Sequence, residues 1–237
     1  AAADEFKEAM LEETGGTYVA EAFEVSPQPQ FSFTIMDQHT GYVKAMVGGR
    51  GEKKVNRSFN RATDATRQPG STFKIVAAYA PLIDSGKGGL AKSFNDEPYQ
   101  YANGNDVRNA GGGHSGYCTI RKSIQSSINV CAVKAITEET PDAAFEYLLK
   151  FGYTTLVDQK VDSNGTILTD KTQACALGGL SHGVTNYEMT AAYASIANGG
   201  VYNEPVLYSK VIDHDGNVII DNTTPTSHEV IRPTTAW

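Results

Sequence analysis

Ser71-Thr72-Phe73-Lys74 sets a hydroxyl and an amine three positions apart. That is close to one helical turn, so on a helix both side chains leave the same face. A serine hydroxyl is a weak nucleophile until a base takes its proton, and a neutral lysine amine one turn away is such a base. The difficulty lies in the lysine. At a pKa near 10.4 only about one in 2,500 side chains is neutral at pH 7, and lowering that pKa by ~3 units takes on the order of 4 kcal/mol of environment. Burial and a neighbouring cation are two ways to supply it. Standing alone, the tetrapeptide is a weak signal, more plainly read as a capping serine and a surface lysine. A second polar pair, Ser127-Ile128-Asn129, lies downstream within Gln125–Val133.

These groups must be positioned by a mixed α/β chain. Phe31, Phe33 and Ile35 alternate with Ser32 and Thr34, His39-Thr40-Gly41 supplies a turn, and Val43, Ala45 and Val47 alternate on the return, which predicts a hairpin. Residues 50–68 read as loop. Pro69-Gly70 precedes Ser71, and residues 73–80 predict a buried helix whose end is bracketed by Pro81 and Gly86. Residues 95–117 promise little regular structure. Ile120, Ile124, Ile128, Cys131 and Ala135 step along one face and predict a single helix over 119–137. Thr140-Pro141 reads as an N-cap with proline at the first helical position, and Thr185-Asn186-Tyr187-Glu188 as a capping box. A second hairpin is expected from Val206–Ile212 and Val218–Asp221. At the start, residues 4–13 predict a short amphipathic helix carrying Phe6, Ala9 and Met10, ended by Gly15-Gly16 and followed by a proline-broken connector at 26–30.

Composition narrows the function. The 237 residues are 40% hydrophobic and 20% charged, with a net charge of −7 and no basic block, a poor match to phosphate-backbone binding, so no nucleic-acid partner is expected. No apolar run approaches the roughly 18 residues of a spanning helix. Cys118, Cys131 and Cys175 lack metal or redox spacing and read as buried free thiols before one disulfide with a thiol left over. The five histidines show no metal spacing, Gly113-His114-Ser115-Gly116 is followed by Tyr117 and so fails the hydrolase-elbow pattern, and Gly86-Lys87-Gly88-Gly89 is not a phosphate loop. Neither cofactor nor metal is expected. Tyr99, Tyr101 and Tyr117 read as packing residues before cleft residues.

Taken together, Arg67-Gln68-Pro69-Gly70-Ser71-Thr72-Phe73-Lys74 behind Asp37-Gln38-His39-Thr40-Gly41, with Ser127-Ile128-Asn129 and Leu177-Gly178-Gly179-Leu180-Ser181-His182-Gly183-Val184-Thr185 downstream, resembles the transpeptidase domain of class A penicillin-binding proteins. The likeness runs over residues 31–237, with 1–30 as a linker leading in. It implies a penicilloyl-serine transferase fold of the α+β type, an antiparallel sheet flanked by helices plus an all-helical subdomain. It implies that Ser71 is the acylated serine, that Lys74 accepts its proton, that Ser127 relays a proton to the leaving amine and that Asn129 binds the substrate's peptide. The partners implied are peptidoglycan stem peptides ending in D-Ala-D-Ala and β-lactam antibiotics. The setting implied is the extracytoplasmic face of the bacterial membrane, with an anchor and a glycosyltransferase domain outside this chain.

One family motif is missing. No K-T-G or K-S-G is present; Lys171-Thr172-Gln173 lacks the glycine and comes too early. The expectation is a chain that stops before the K-T-G strand and needs a C-terminal part of the same domain, on a separate chain if cleaved. In that case the strands of Phe31–Val47 would keep unpaired edges and an uncovered apolar face. A class A β-lactamase is disfavoured, because no E-x-x-L-N follows Ser127 at the expected distance. A β-lactam-binding sensor or a D,D-carboxypeptidase would use the same residues.

Overall fold

The computed structural model describes residues 29–53 and 55–237, with Glu5, Glu8, Ala9, Leu11 and Glu12 before them. Those five isolated residues are helical; Phe6 and Met10 of the expected amphipathic face, the Gly15-Gly16 stop and residues 26–28 of the connector lie outside the described residues. The chain divides into two units, Ala1–Gln30 and Phe31–Trp237. Ser71, Lys74, Ser127 and Asn129 all belong to the second.

The helix of the Ser71 motif runs through its centre. It opens as a 3₁₀ turn over Gly70–Phe73, widens to a π segment over Ile75–Tyr79, and continues as α1 (Ala80–Asp84). Phe73, Val76, Ala77, Ala78, Tyr79 and Leu82 are all buried on it. An all-round apolar helix has no solvent face and must be enclosed. Here Cys131, Ala132, Ala135 and Ile136, then Leu148, Phe151 and Tyr153, pack in the same core cluster, and the Phe73 and Tyr153 rings meet edge to face at 5.1 Å. Pro81 lies inside this run, and the helix ends between it and Gly86. Proline has no N–H to give and its ring crowds the carbonyl four residues back; the wide π turn immediately ahead of it makes that room.

The single helix predicted over 119–137 is two: α2 (Ile120–Gln125) and α3 (Asn129–Glu139). The break falls at Ser127, whose φ is 51°, a left-handed conformation that no helix can pass through. Then α4 (Pro141–Lys150) starts as expected, with the Thr140 side chain accepting from Ala143 N–H, and α5 (Asn186–Ala197) opens on a complete capping box of Thr185 and Glu188. A last turn, α6, spans Pro233–Ala236.

Strands form around these helices as two-stranded antiparallel pairs. β1 (Phe33–Met36) pairs with β2 (Val43–Val47), Phe33 opposite Val47, around a turn with Gly41 at φ 73°. Residues 95–117 hold more structure than expected: β3 (Ser93–Asp96), the small hairpin β4 (Tyr99–Gln100) and β5 (Asp106–Val107), and β6 (Gly116–Thr119), which pairs with β3. A short hairpin joins β7 (Lys160–Val161) to β8 (Ile167–Leu168), and β9 (Val201–Asn203) pairs with β12 (Ser227–Glu229). The second expected hairpin is present as β10 (Lys210–Ile212) and β11 (Val218–Asp221); Val206 instead makes a parallel bridge to Tyr42. On β1 the apolar face is the exposed one. Phe33 is 53% and Ile35 46% exposed, whereas Thr34 is buried and donates to Asn186 Oδ1 at 2.7 Å.

Candidate functional site

Lys74 is not a surface lysine. It is 3% exposed, because the helix that carries it is enclosed. Its amine donates to Ser127 O at 2.6 Å and to Asn129 Oδ1 at 2.6 Å, and lies 3.0 Å from Ser127 Oγ. The structure thus joins Lys74 to both polar residues of the 127–129 loop. Asn129 Nδ2 donates to Arg108 O at 2.6 Å; a carbonyl only accepts, so this fixes which end of the amide meets Lys74.

These contacts constrain the charge state. Ser127 O and Asn129 Oδ1 each need an N–H from Lys74. An ammonium would spend its third N–H on Ser127 Oγ, whereas a neutral amine keeps a lone pair there, able to accept a proton. Burial pushes the Lys74 pKa down from 10.5 to about 8, with the Cys131 thiol working in the opposite sense. About one side chain in ten is then neutral at pH 7. Among the described residues no carboxylate lies within ion-pair distance of Lys74 and no cation contributes, so burial alone supplies the effect.

Ser71 stands apart from this cluster. It is exposed on the 3₁₀ turn, its carbonyl accepts the Lys74 backbone N–H, and among the described residues nothing bonds its hydroxyl. In a 3₁₀ turn residues i and i+3 eclipse, so the turn sets Ser71 and Lys74 one above the other, yet no hydrogen bond joins the exposed Ser71 hydroxyl to the buried amine.

The loop that delivers Ser71 is held from outside its own segment. Arg67 and Val184 exchange backbone hydrogen bonds at 2.9 Å in each direction. The Gln68 amide clamps the Leu180 backbone, donating to its carbonyl at 2.6 Å and accepting from its N–H at 2.8 Å. Gly178, at φ 74°, lies so close to Gly70 that a Cβ would collide with the Gly70 backbone, and a Cβ on Gly183 would strike Arg67. Tyr193 Oη donates to Thr72 O at 2.6 Å. The 177–185 segment therefore serves the site through its backbone. Its far end is tied by the Glu188 carboxylate, which accepts from Thr154, Thr155 and Thr185; burial would raise its pKa, but these hydrogen bonds hold it lowered.

The remaining candidates fall outside this cluster. Tyr99 and Tyr101 pack against Val107, Val130 and Val133, and Tyr117 is exposed. The three cysteines are free and buried. Among the described residues no group of histidine, cysteine or acidic side chains is placed to hold a metal ion, and no helix is long and apolar enough to cross a membrane. Sequence reading gave no role to Gln68 or Tyr193, which hold the Ser71 loop. Gln68 had a signal, its place three residues before Ser71; Tyr193 lies far from both motifs in the chain.

A family model described as the penicillin binding protein transpeptidase domain matches residues 31–237. Penicillin-binding protein 1A of Clostridium tetani is 36% identical over 217 residues, which is 89% of this chain and 27% of that protein; penicillin-binding protein 1A/1B of Bacillus subtilis is 29% identical over 88% of this chain and 21% of its own length. The chain thus spans about a quarter of these relatives. Among solved structures, a Mycobacterium tuberculosis protein in complex with penicillin V superposes with a TM-score of 0.72 at 22% identity, covering 97% of this chain and 57% of that one. Penicillin-binding protein 1A of Haemophilus influenzae gives 0.64 at 28% identity, over 81% of this chain and 27% of that one.

Proposed function

The chain belongs to the penicillin-binding protein transpeptidase domain family and has its penicilloyl-serine transferase fold, and from that premise we propose that it is the acyl-transfer domain of a class A D,D-transpeptidase. The reading rests on one observation above the rest: a buried lysine from the Ser71 motif bonded to both polar residues of the 127–129 loop.

Ser71 Oγ attacks the penultimate carbonyl of a stem peptide ending in D-Ala-D-Ala, its proton passing to Lys74 Nζ. The ammonium returns a proton to Ser127 Oγ, and Ser127 gives its own to the departing D-Ala amine, so no net proton is gained or lost. An amine from a neighbouring stem then attacks the acyl-serine, reversing the relay and leaving a cross-link. A β-lactam carbonyl enters by the same first step and stays on Ser71. Asn129 holds the donor peptide once it displaces part of the Asn129–Arg108 contact. The catalytic unit includes a K-T-G strand absent from this chain, which adds a second oxyanion donor to the Ser71 N–H; such a donor is typically worth about 10²–10³ in rate. The domain acts on the extracytoplasmic face of the membrane, held by an anchor elsewhere in the full protein.

The test is mass spectrometry of the full-length protein after reaction with benzylpenicillin. The adduct is expected on the tryptic peptide Gln68–Lys74 and absent from Ser71→Ala; an adduct on another peptide, or none, refutes the reading. Dimeric muropeptides formed by the same protein separate a transpeptidase from a sensor or a carboxypeptidase.

A further inference from the structure

Ser127 and Asn129 occupy an unusual piece of chain. Ser127 holds φ 51°, and such a conformation persists in a non-glycine residue only where the surroundings over-determine it. The next helix, α3, has Ile128 at its N-cap, with no side-chain cap of its own. By contrast α2, α4 and α5 are capped by Thr119, Thr140 and Thr185 at their own N-cap positions. Ile128 is buried, so the position is spent on packing, and the first N–H groups of α3 need a partner from elsewhere.

That partner is Asn109. Its Oδ1 accepts from Asn129 N–H at 2.9 Å and from Val130 N–H at 3.3 Å. Its Nδ2 donates to Asp96 Oδ1 at 2.8 Å and to Gly113 O at 3.1 Å. Asp96, at the end of β3, is 2% exposed. Its carboxylate also accepts from Ser115 N–H at 2.8 Å and meets His114 Nδ1 at 3.2 Å. Burial works to raise the Asp96 pKa, and the hydrogen bonds from Asn109, Ser115 and His114 overcome it, leaving a lowered, ionised group. An ionised Asp96 can only accept, which forces the Asn109 NH₂ toward it and the Asn109 carbonyl toward α3. A rigid chain of bonds therefore runs from β3 through Asp96 and Asn109 to the backbone of Asn129, whose side chain receives Lys74.

We propose that Asn109, oriented by Asp96, is a positioning residue that holds Ser127 and Asn129 in register with Lys74. The proposal rests on the acyl-enzyme reading above. Asn109 touches no reacting atom; it fixes the start of α3, and with it the left-handed Ser127 whose carbonyl and hydroxyl meet the lysine amine. A displacement of about 1 Å in such a support is enough to lower a rate roughly 10²-fold, and removal of an outer supporting group commonly costs 10–100-fold.

The experiment measures the second-order rate of acylation by a fluorescent penicillin in the full-length protein, with Tm recorded for every variant. Thr140→Ala removes a side-chain cap from α4, away from Lys74, and serves as the comparison for loss of a helix cap. Asn109→Ala is expected to slow acylation about 10–100-fold beyond Thr140→Ala; an Asn109→Ala protein that is no slower than Thr140→Ala overturns the proposal. Should Asn109→Ala fail to fold, an exchange decides. Asn109→Asp alone sets two carboxylates face to face and is expected to be at least about tenfold slow. Adding Asp96→Asn restores a donor and an acceptor between 96 and 109, though the carboxylate at 109 still faces Gly113 O without a donor, so the double variant is expected to recover at least about threefold over Asn109→Asp. A double variant no faster than Asn109→Asp refutes the role. An unmodified protein that penicillin does not acylate refutes instead the acyl-enzyme reading itself, and the two failures are thereby told apart.

Discussion

The two serines are related to the same lysine by opposite routes: Ser127 Oγ lies 3.0 Å from Lys74 Nζ, whereas Ser71 is tied to Lys74 through the backbone of its turn. Ser71 shares a helix with Lys74, and their relation is set by three residues of local geometry. Ser127 lies far along the chain in a left-handed turn between two helices, and its relation to Lys74 is set by Nζ, Asn129 and the Asp96–Asn109 support. The first serine is exposed with an unbonded hydroxyl, which suits the nucleophile proposed for it. The second is bonded to Lys74, which suits the proton carrier proposed for it. On the proposed reading, local geometry gives the nucleophile freedom, and long-range support gives the relay its position.

Lys74 is the one group that belongs to both regions, so removing it has the largest effect. Lys74→Ala is expected to slow penicillin acylation by at least about 10²–10⁴-fold while the protein still folds; near-normal labelling would show that the two serines do not share a base. The pH dependence sharpens this. Because the amine titrates at about 8, acylation is expected to climb about tenfold per pH unit below that point and level off above it. The stability sign comes from the same shift. The folded pKa lies below the unfolded value of 10.5, so the unfolded chain binds more protons between about 8 and 10.5 and stability due to Lys74 rises with pH across that window. Buried Cys175 and half-buried Tyr202, both raised to about 12, work in the opposite direction there. The quantity to measure is therefore the difference in urea midpoint between the unmodified protein and Lys74→Met, which should narrow as pH increases.

What could be read from the chain divides along the same line. The Ser71 helix, the Thr140-Pro141 start and the Thr185–Glu188 capping box are local patterns, and the structure has each of them. The break at Ser127 was illegible because the apolar spacing of Ile124, Ile128 and Cys131 continues across it. What breaks the helix is tertiary: a buried amine and an asparagine twenty residues before Asn129 outweigh the local preference. The S-x-N motif entered through resemblance, not through any spacing that placed it beside Lys74. On β1 the alternation was legible, and so was the exposure of its apolar face. The buried role of Thr34 was not, since it depends on Asn186 in a distant helix.

The Ser71 side of the comparison can be broken without touching a reactive group. Gly178→Ala places a methyl against the Gly70 backbone at a φ of 74°. Backbone cannot step aside as a flexible side chain would, and left-handed φ adds strain of about 1 kcal/mol. The expected loss is roughly 2–4 kcal/mol, read as a lowered urea midpoint, with slower acylation because the Ser71 loop shifts. Gly104→Ala has a similar φ of 83° but open space around it, and should lose only the strain. Equal losses in the two variants would mean that close approach of 178 to 70 plays no part.

The smallest expected effect separates the two serines most cleanly, because it predicts opposite signs. Glycine populates left-handed φ freely. Each glycine variant is therefore measured against the alanine variant at the same position, which loses the same hydroxyl. At Ser127, where φ is 51°, glycine relieves the strain, and stability is expected to rise by about 0.5–1 kcal/mol on that scale. At Ser71, in the opening helical turn, glycine adds backbone entropy with no strain to relieve, and stability is expected to fall by about 0.5 kcal/mol. Both variants lose a functional hydroxyl, so both label poorly with penicillin, Ser71→Gly not at all. A function-destroying change that raises the urea midpoint above that of the alanine variant is the mark of a residue held against its own preference for the sake of the site. If both midpoints move the same way, Ser127 is not strained in solution, and the contrast between a locally set nucleophile and a remotely held relay fails.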